Sequence, residues 1–169
     1  MRPATSRNRR PRRSIGVNLP PFQALLDRHG EDVRRFVAAL VGPEEGEDCA
    51  QETFLAALRA YPSLRNGTNL RSWLLTIAHR KAMDEHRARK RRPRTTDAPP
   101  DGPAPEREEH DPAIWLAVRR LPVGQREAVA LRFVADLPYR EIAAIAGCTE
   151  AAARQRVREA IATLRKEWR

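Results

Sequence analysis

Apolar positions along this chain recur at helical spacing. Leu70, Trp73, Leu74, Ile77 and Ala78 fall in the i, i+3, i+4, i+7, i+8 order, which gathers them on one face of an amphipathic helix. Upstream, Phe22, Leu25 and Leu26 make one short stripe, and Val33, Phe36, Val37 and Leu40 make another. A further helix is expected from Pro43 or Glu44, with Cys49, Phe54, Leu55 and Leu58 as its inner face. Gly42-Pro43 and Tyr61-Pro62 mark breaks, because proline fixes φ and lacks a donor. Ser63 to Asn69 reads as a polar loop around Asn66-Gly67, and Thr68 or Asn69 is suited to cap the long helix after it.

The pattern stops at residues 93–110, where five prolines mix with glycine and acids; such composition makes a semi-flexible linker. Beyond it, Asp111 is placed to cap a helix with Pro112 at its first position, followed by Ile114, Trp115 and Val118. Gln125 to Val134 reads as another helix, burying Ala128, Val129, Leu131 or Phe133. The stretch Leu137 to Arg165 then has a distinctive order. Pro138 starts a short helix with Ile142, Ala143, Ile145 and Ala146 inside; Gly147 stops it; Thr149 caps a second helix with Ala153, Val157, Ile161 and Leu164 inside. Arg154, Gln155, Arg156 and Arg158 fall on or near the outer surface. Two helices joined by a glycine turn, the second presenting Arg and Gln, form a helix-turn-helix pattern, and the DNA major groove admits one such helix. The expected fold is all-α: two small helical bundles, residues 19–92 and 111–169, joined by a flexible Pro-rich linker, with the helix-turn-helix in the second.

Charge sharpens this picture. The 169 residues hold 32 Lys and Arg against 22 Asp and Glu, a net +10, which favours a polyanionic partner through counterion release. The excess is patchy. Residues 1–18 hold Arg2, Arg7, Arg9, Arg10, Arg12 and Arg13 without an acid and read as a disordered basic tail. Arg87, Arg89, Lys90, Arg91 and Arg92 crowd the end of the long helix.

Several classes are disfavoured. No stretch approaches the ~20 apolar residues of a membrane span, and the basic N-terminus lacks the apolar segment of a secretory signal, so a cytoplasmic protein without membrane insertion is expected. Cys49 and Cys148 are too few for a disulfide framework. His79 and His86 would be separated by about 10 Å of helix rise, too far to share one metal. No phosphate-cradling glycine loop or nucleophile elbow is present. Neither cofactor, metal nor catalysis is expected.

Three stretches together carry a family resemblance: Glu47-Asp48-Cys49-Ala50-Gln51-Glu52-Thr53-Phe54-Leu55, then Leu70-Arg71-Ser72-Trp73-Leu74-Leu75-Thr76-Ile77-Ala78, then the helix-turn-helix. In this order they resemble a bacterial sigma factor of the extracytoplasmic-function (ECF, group four) class of the sigma-70 family, over roughly residues 20–92 and 111–168. The resemblance implies a dissociable subunit of core RNA polymerase that recognises and opens promoter DNA, commonly held by an anti-sigma factor. It implies that Asp48, Gln51 and Glu52 dock on polymerase. It implies that Leu64, Arg65, Asn66, Gly67, Thr68 and Asn69, with Arg71 and Trp73, engage the minus-ten element, with Arg80, Arg87, Lys90 and Arg91 on phosphates. Arg140, Thr149, Glu150, Ala151, Arg154, Gln155 and Arg158 would then face the minus-thirty-five element. Two features depart from the family: the recognition helix reads Thr149-Glu150-Ala151-Ala152-Ala153-Arg154, where a valine is more usual at position 153, and the Arg-rich extension lies outside the family core.

Two rival readings remain open on sequence. A helix-turn-helix regulator binding duplex DNA without polymerase explains residues 111–169 but leaves the acidic and Leu-Arg-Ser-Trp helices without a role. A protein–protein module titrating a regulatory partner would bind neither DNA nor polymerase.

Overall fold

The computed structural model describes residues 19–65, 68–91 and 112–167; the basic tail and the Pro-rich linker lie outside the described residues. Among these residues the fold is all-α. Three long helices, α1 (Phe22–Val41), α2 (Pro43–Ala60) and α3 (Leu70–Arg91), pack on one another, with a 3-10 turn at Tyr61–Ser63. The two apolar stripes before Gly42 belong to a single helix, which runs through a buried Gly30. Gly46 marks where α2 crosses α1, since an added Cβ would come within 3.0 Å of the Ala38 Cα. Asn69 caps α3, its Oδ1 accepting from the Ser72 N–H at 3.1 Å.

The inner face of α2 differs from expectation. Gly46, Cys49, Ala50, Thr53 and Ala57 are buried, whereas Leu55 and Leu58 are 54% and 51% exposed. Small residues let α2 approach α1 closely, and Thr53 is satisfied by donating to the Cys49 carbonyl at 2.8 Å.

The second half comprises α4 (Pro112–Arg120), α5 (Val123–Val129), a π-helical turn (Ala130–Val134), α6 (Tyr139–Ala146) and α7 (Glu150–Glu167). The π turn corrects the reading of residues 125–134 as one regular helix. Leu131 is fully buried while Phe133, two positions on and so on the opposite side, is 60% exposed. Gly147 adopts the left-handed conformation (φ 61°) that ends α6, and the Thr149 hydroxyl accepts from the Ala152 N–H at 3.1 Å to cap α7.

The two halves share a hydrophobic core. Val33, Phe36, Val37 and Leu40 of α1 and Leu74, Leu75 and Ala78 of α3 form one cluster with Leu131, Leu137, Ile142, Ile145 and Ala153. Only Leu121, Val129 and Ala160, with Leu164 against them, form a separate cluster within the second half.

Candidate nucleic-acid interface

The outer stripe of α2 carries Asp48, Gln51, Glu52, Leu55 and Leu58, all exposed, at spacings that align them on one helix face. Glu52 is met by Lys81 at 3.1 Å on the solvent side, a pair of small energetic weight at such exposure. Acids and adjacent exposed leucines make this face of α2 amphipathic. Leu55 and Leu58 were missed as surface residues because apolar character at helical spacing reads as core; their register with Asp48, Gln51 and Glu52 was the available signal.

The loop before α3 follows the 3-10 turn at Tyr61–Ser63. Leu64, Arg65, Thr68 and Asn69 are described, while Asn66 and Gly67 are not. Thr68 ties the loop by donating its hydroxyl to the Arg65 carbonyl at 2.8 Å. The Trp73 ring lies 6.1 Å from that of Tyr61, which meets Phe22 edge-on at 5.2 Å and donates to the Pro20 carbonyl. Arg71 is half-buried against Asp32, Nε to Oδ2 at 2.9 Å. Both Arg71 and Trp73 are half-buried in these contacts, whereas Arg65 and Asn69 are exposed.

Along α3, Arg80, Arg87, Lys90 and Arg91 are all exposed, and Arg87 is tethered to Asp84 at 3.0 Å. Arg89, from the same basic run, is also exposed and pairs with Glu45 while donating to the Val41 carbonyl. On the helix-turn-helix, Glu150, Ala151, Arg154, Gln155 and Arg158 share the exposed face of α7, and Arg140 is exposed on α6. Arg154 pairs with Glu150 and lies over the Tyr139 ring at 4.8 Å, while Arg132 covers that ring at 5.4 Å. Gln155 donates to Glu159 at 2.8 Å and accepts from Arg158 at 2.7 Å. Thr149 is occupied as the cap, and Ala153 is fully buried. Arg156 turns toward the interior, 3.9 Å from Glu127.

No group of three or more His, Cys, Asp or Glu side chains suited to a metal occurs among the described residues. Burial, reinforced by the Lys90, Arg126 and Arg89 charges, lowers the His86 pKa from its ordinary value. Burial is also the main reason the Cys49 thiol is pushed up to about 11. No described helix is long and apolar enough to cross a membrane.

Comparison with known proteins finds two family matches in order along the chain. The Sigma-70 region 2 family matches residues 25–92, and the Sigma-70 region 4 family matches residues 112–164. The chain is 36% identical over 145 residues to the ECF RNA polymerase sigma factor SigC of Mycobacterium tuberculosis, covering 82% of this chain and 78% of that protein. It is 31% identical over 155 residues to the RNA polymerase sigma factor CarQ of Myxococcus xanthus, covering 86% and 87%. Among solved structures it resembles the sigma factor RpoE of Bartonella quintana, determined with the anti-sigma factor NepR. That match has a TM-score of 0.73 and 27% identity over 86% of this chain and 94% of that one. Two ordered family matches and relatives of this similarity over most of the chain lead to one conclusion: this protein is a member of the extracytoplasmic-function sigma factors of RNA polymerase.

Proposed function

We propose a division of labour within this sigma factor. The outer stripe of α2 (Asp48, Gln51, Glu52, with Leu55 and Leu58) docks on core RNA polymerase. The loop Leu64–Asn69 takes an unstacked base of the minus-ten element, which must offset a few kcal/mol of unstacking, and Arg71 and Trp73 brace that loop from below. Arg80, Arg87, Lys90 and Arg91 hold phosphates, and Arg140, Glu150, Ala151, Arg154, Gln155 and Arg158 face the minus-thirty-five element, with Thr149 shaping the start of α7. The protein acts in the cytoplasm by binding alone, and an anti-sigma factor is its regulatory partner.

The observation that carries this reading is the exposed acidic and apolar stripe of α2, which a regulator binding duplex DNA by itself would not need. Charge reversal in Asp48→Lys together with Glu52→Lys should weaken binding of labelled protein to core polymerase at least tenfold. Affinity of the same variant for a duplex bearing only the upstream element should stay unchanged. Core binding at wild-type strength would remove the stripe from the interface.

A further inference from the structure

One basic run has no role in the division of labour proposed above. Arg2, Arg7, Arg9, Arg10, Arg12 and Arg13 fall among residues 1–18 with no acid between them. The point at which this arm joins the fold is fixed. The Pro20 carbonyl, just after the arm, accepts from the Tyr61 hydroxyl. Phe22, at the start of α1, meets the same ring edge-on, and Tyr61 in turn lies beside Trp73. The Tyr61 carbonyl accepts from the N–H of Leu64, the first residue of the minus-ten loop, at 3.1 Å. One residue, Tyr61, thus holds both the root of the arm and the start of that loop.

The surface around this root is basic. Arg28 and Arg35 of α1 and Arg65 of the loop are exposed. Burial first, and then the Arg28 charge, lower the His29 pKa from its ordinary value, with Asp32 opposing and Arg71 adding. Each acid of α1 is already engaged: Asp27 accepts from Gln23, Glu31 pairs with Arg34, and Asp32 pairs with both Arg71 and Arg35. The arm therefore continues a basic edge that runs to the loop. Covalent geometry bounds its reach, placing Arg13 within about 25 Å and Arg7 within about 45 Å of Pro20 at ~3.5 Å per residue. One turn of duplex spans about 34 Å, so phosphates within a turn of a base held in the loop fall inside that range.

We propose that this arm is a further DNA-binding element that neutralises backbone phosphates beside the minus-ten element, a role that rests on the assignment of that element to Leu64–Asn69. Neutralised phosphates release condensed counterions. The arm accordingly adds affinity that falls with salt, and it holds the flanking duplex while a base is unstacked. It positions the DNA without reading its sequence, since phosphates carry no base information.

Two measurements on polymerase holoenzyme carrying the full chain test this role. Replacing the six arginines together by Gln should make the fall of the logarithm of promoter affinity with the logarithm of salt concentration shallower by about 3 to 5, at ~0.9 per phosphate contact. Replacing the same six by Lys should retain the wild-type slope. An unchanged slope in the Gln variant would overturn the proposal. So would a loss confined to affinity for core polymerase, which would make the arm a protein contact. Placement is read with a DNA-cleaving iron chelate carried on Arg7→Cys, with Cys148→Ser to prevent stray labelling and Cys49 protected by burial. Strand cleavage should cluster within about one helical turn of the minus-ten element. The same chelate on Ser63→Cys, beside the loop, reports the assignment of the loop separately. Cleavage at the minus-ten element from position 63 but not from position 7 would overturn the role of the arm alone. Cleavage there from neither would overturn the loop assignment and the role of the arm with it.

Discussion

The halves of this protein solve the problem of a small core differently. The first uses helices of 20, 18 and 22 residues and fills its interior with Val33, Phe36, Val37, Leu40, Leu74 and Leu75, all nearly inaccessible. The second has three helices of nine residues or fewer before α7, and much of its buried surface is alanine: Ala117, Ala128, Ala130, Ala135, Ala143, Ala153 and Ala160. Alanine removes little apolar area from water. Its larger buried side chains, Leu131, Leu137, Ile142 and Ile145, join the core of the first half rather than forming one of their own. The halves thus meet in one shared core, to which the first contributes most of the large side chains.

Substitutions can break this comparison. Phe36→Ala removes the largest fully buried side chain and should cost about 3–5 kcal/mol, read as loss of cooperative unfolding or a sharply lowered midpoint. Leu131→Ala, equally inaccessible, should cost about 2–5 kcal/mol, with hydrogen exchange rising first in α4–α6 while α1–α3 stay protected. Uniform exchange across both halves would show that they are equally dependent on each other.

Alkaline pH probes the first half alone. Burial holds the Cys49 thiol neutral, raising its pKa from 9.0 to about 11, so the unfolded chain loses that proton first. The stabilisation is present below about pH 9 and is lost as pH rises through about 11. Relative to Cys49→Ala, the wild-type midpoint should fall over that window, and at pH 8 a thiol reagent should modify the half-buried Cys148 well before Cys49. The smallest effect belongs to the turn of the second half. Thr149→Ala deletes the α7 cap and should cost about 1 kcal/mol by denaturant titration, weakening upstream-element binding only through fraying of Glu150 and Ala151.

Much of the fold was legible locally. Proline and glycine marked most helix ends, and Asn69, Gly147 and Thr149 sit where local chemistry put them, because caps and left-handed turns depend on a few adjacent residues. Three features were not legible. Leu55 and Leu58 look like core in a one-dimensional pattern, and only the small residues Gly46, Ala50 and Ala57 on the opposite side indicate which face packs. The π turn at Ala130–Val134 carries no obvious sequence mark, and nothing local says whether Leu131 or Phe133 is the buried one of the two. The contact between the halves joins residues far apart in sequence, such as His79 with Glu127 and Leu40 with Arg126, and helical periodicity does not say which surface a face will meet. The motifs that carry the family resemblance were readable; that Arg71 pairs with Asp32 and that Trp73 lies beside Tyr61 required the packed structure.

The central account is most directly tested by run-off transcription with core RNA polymerase on a genomic promoter library, with and without this protein. Discrete starts that require the protein and share two spaced upstream motifs are the expected result. No protein-dependent starts, together with no binding to core polymerase, would contradict the account and favour a regulator that reads duplex DNA unaided.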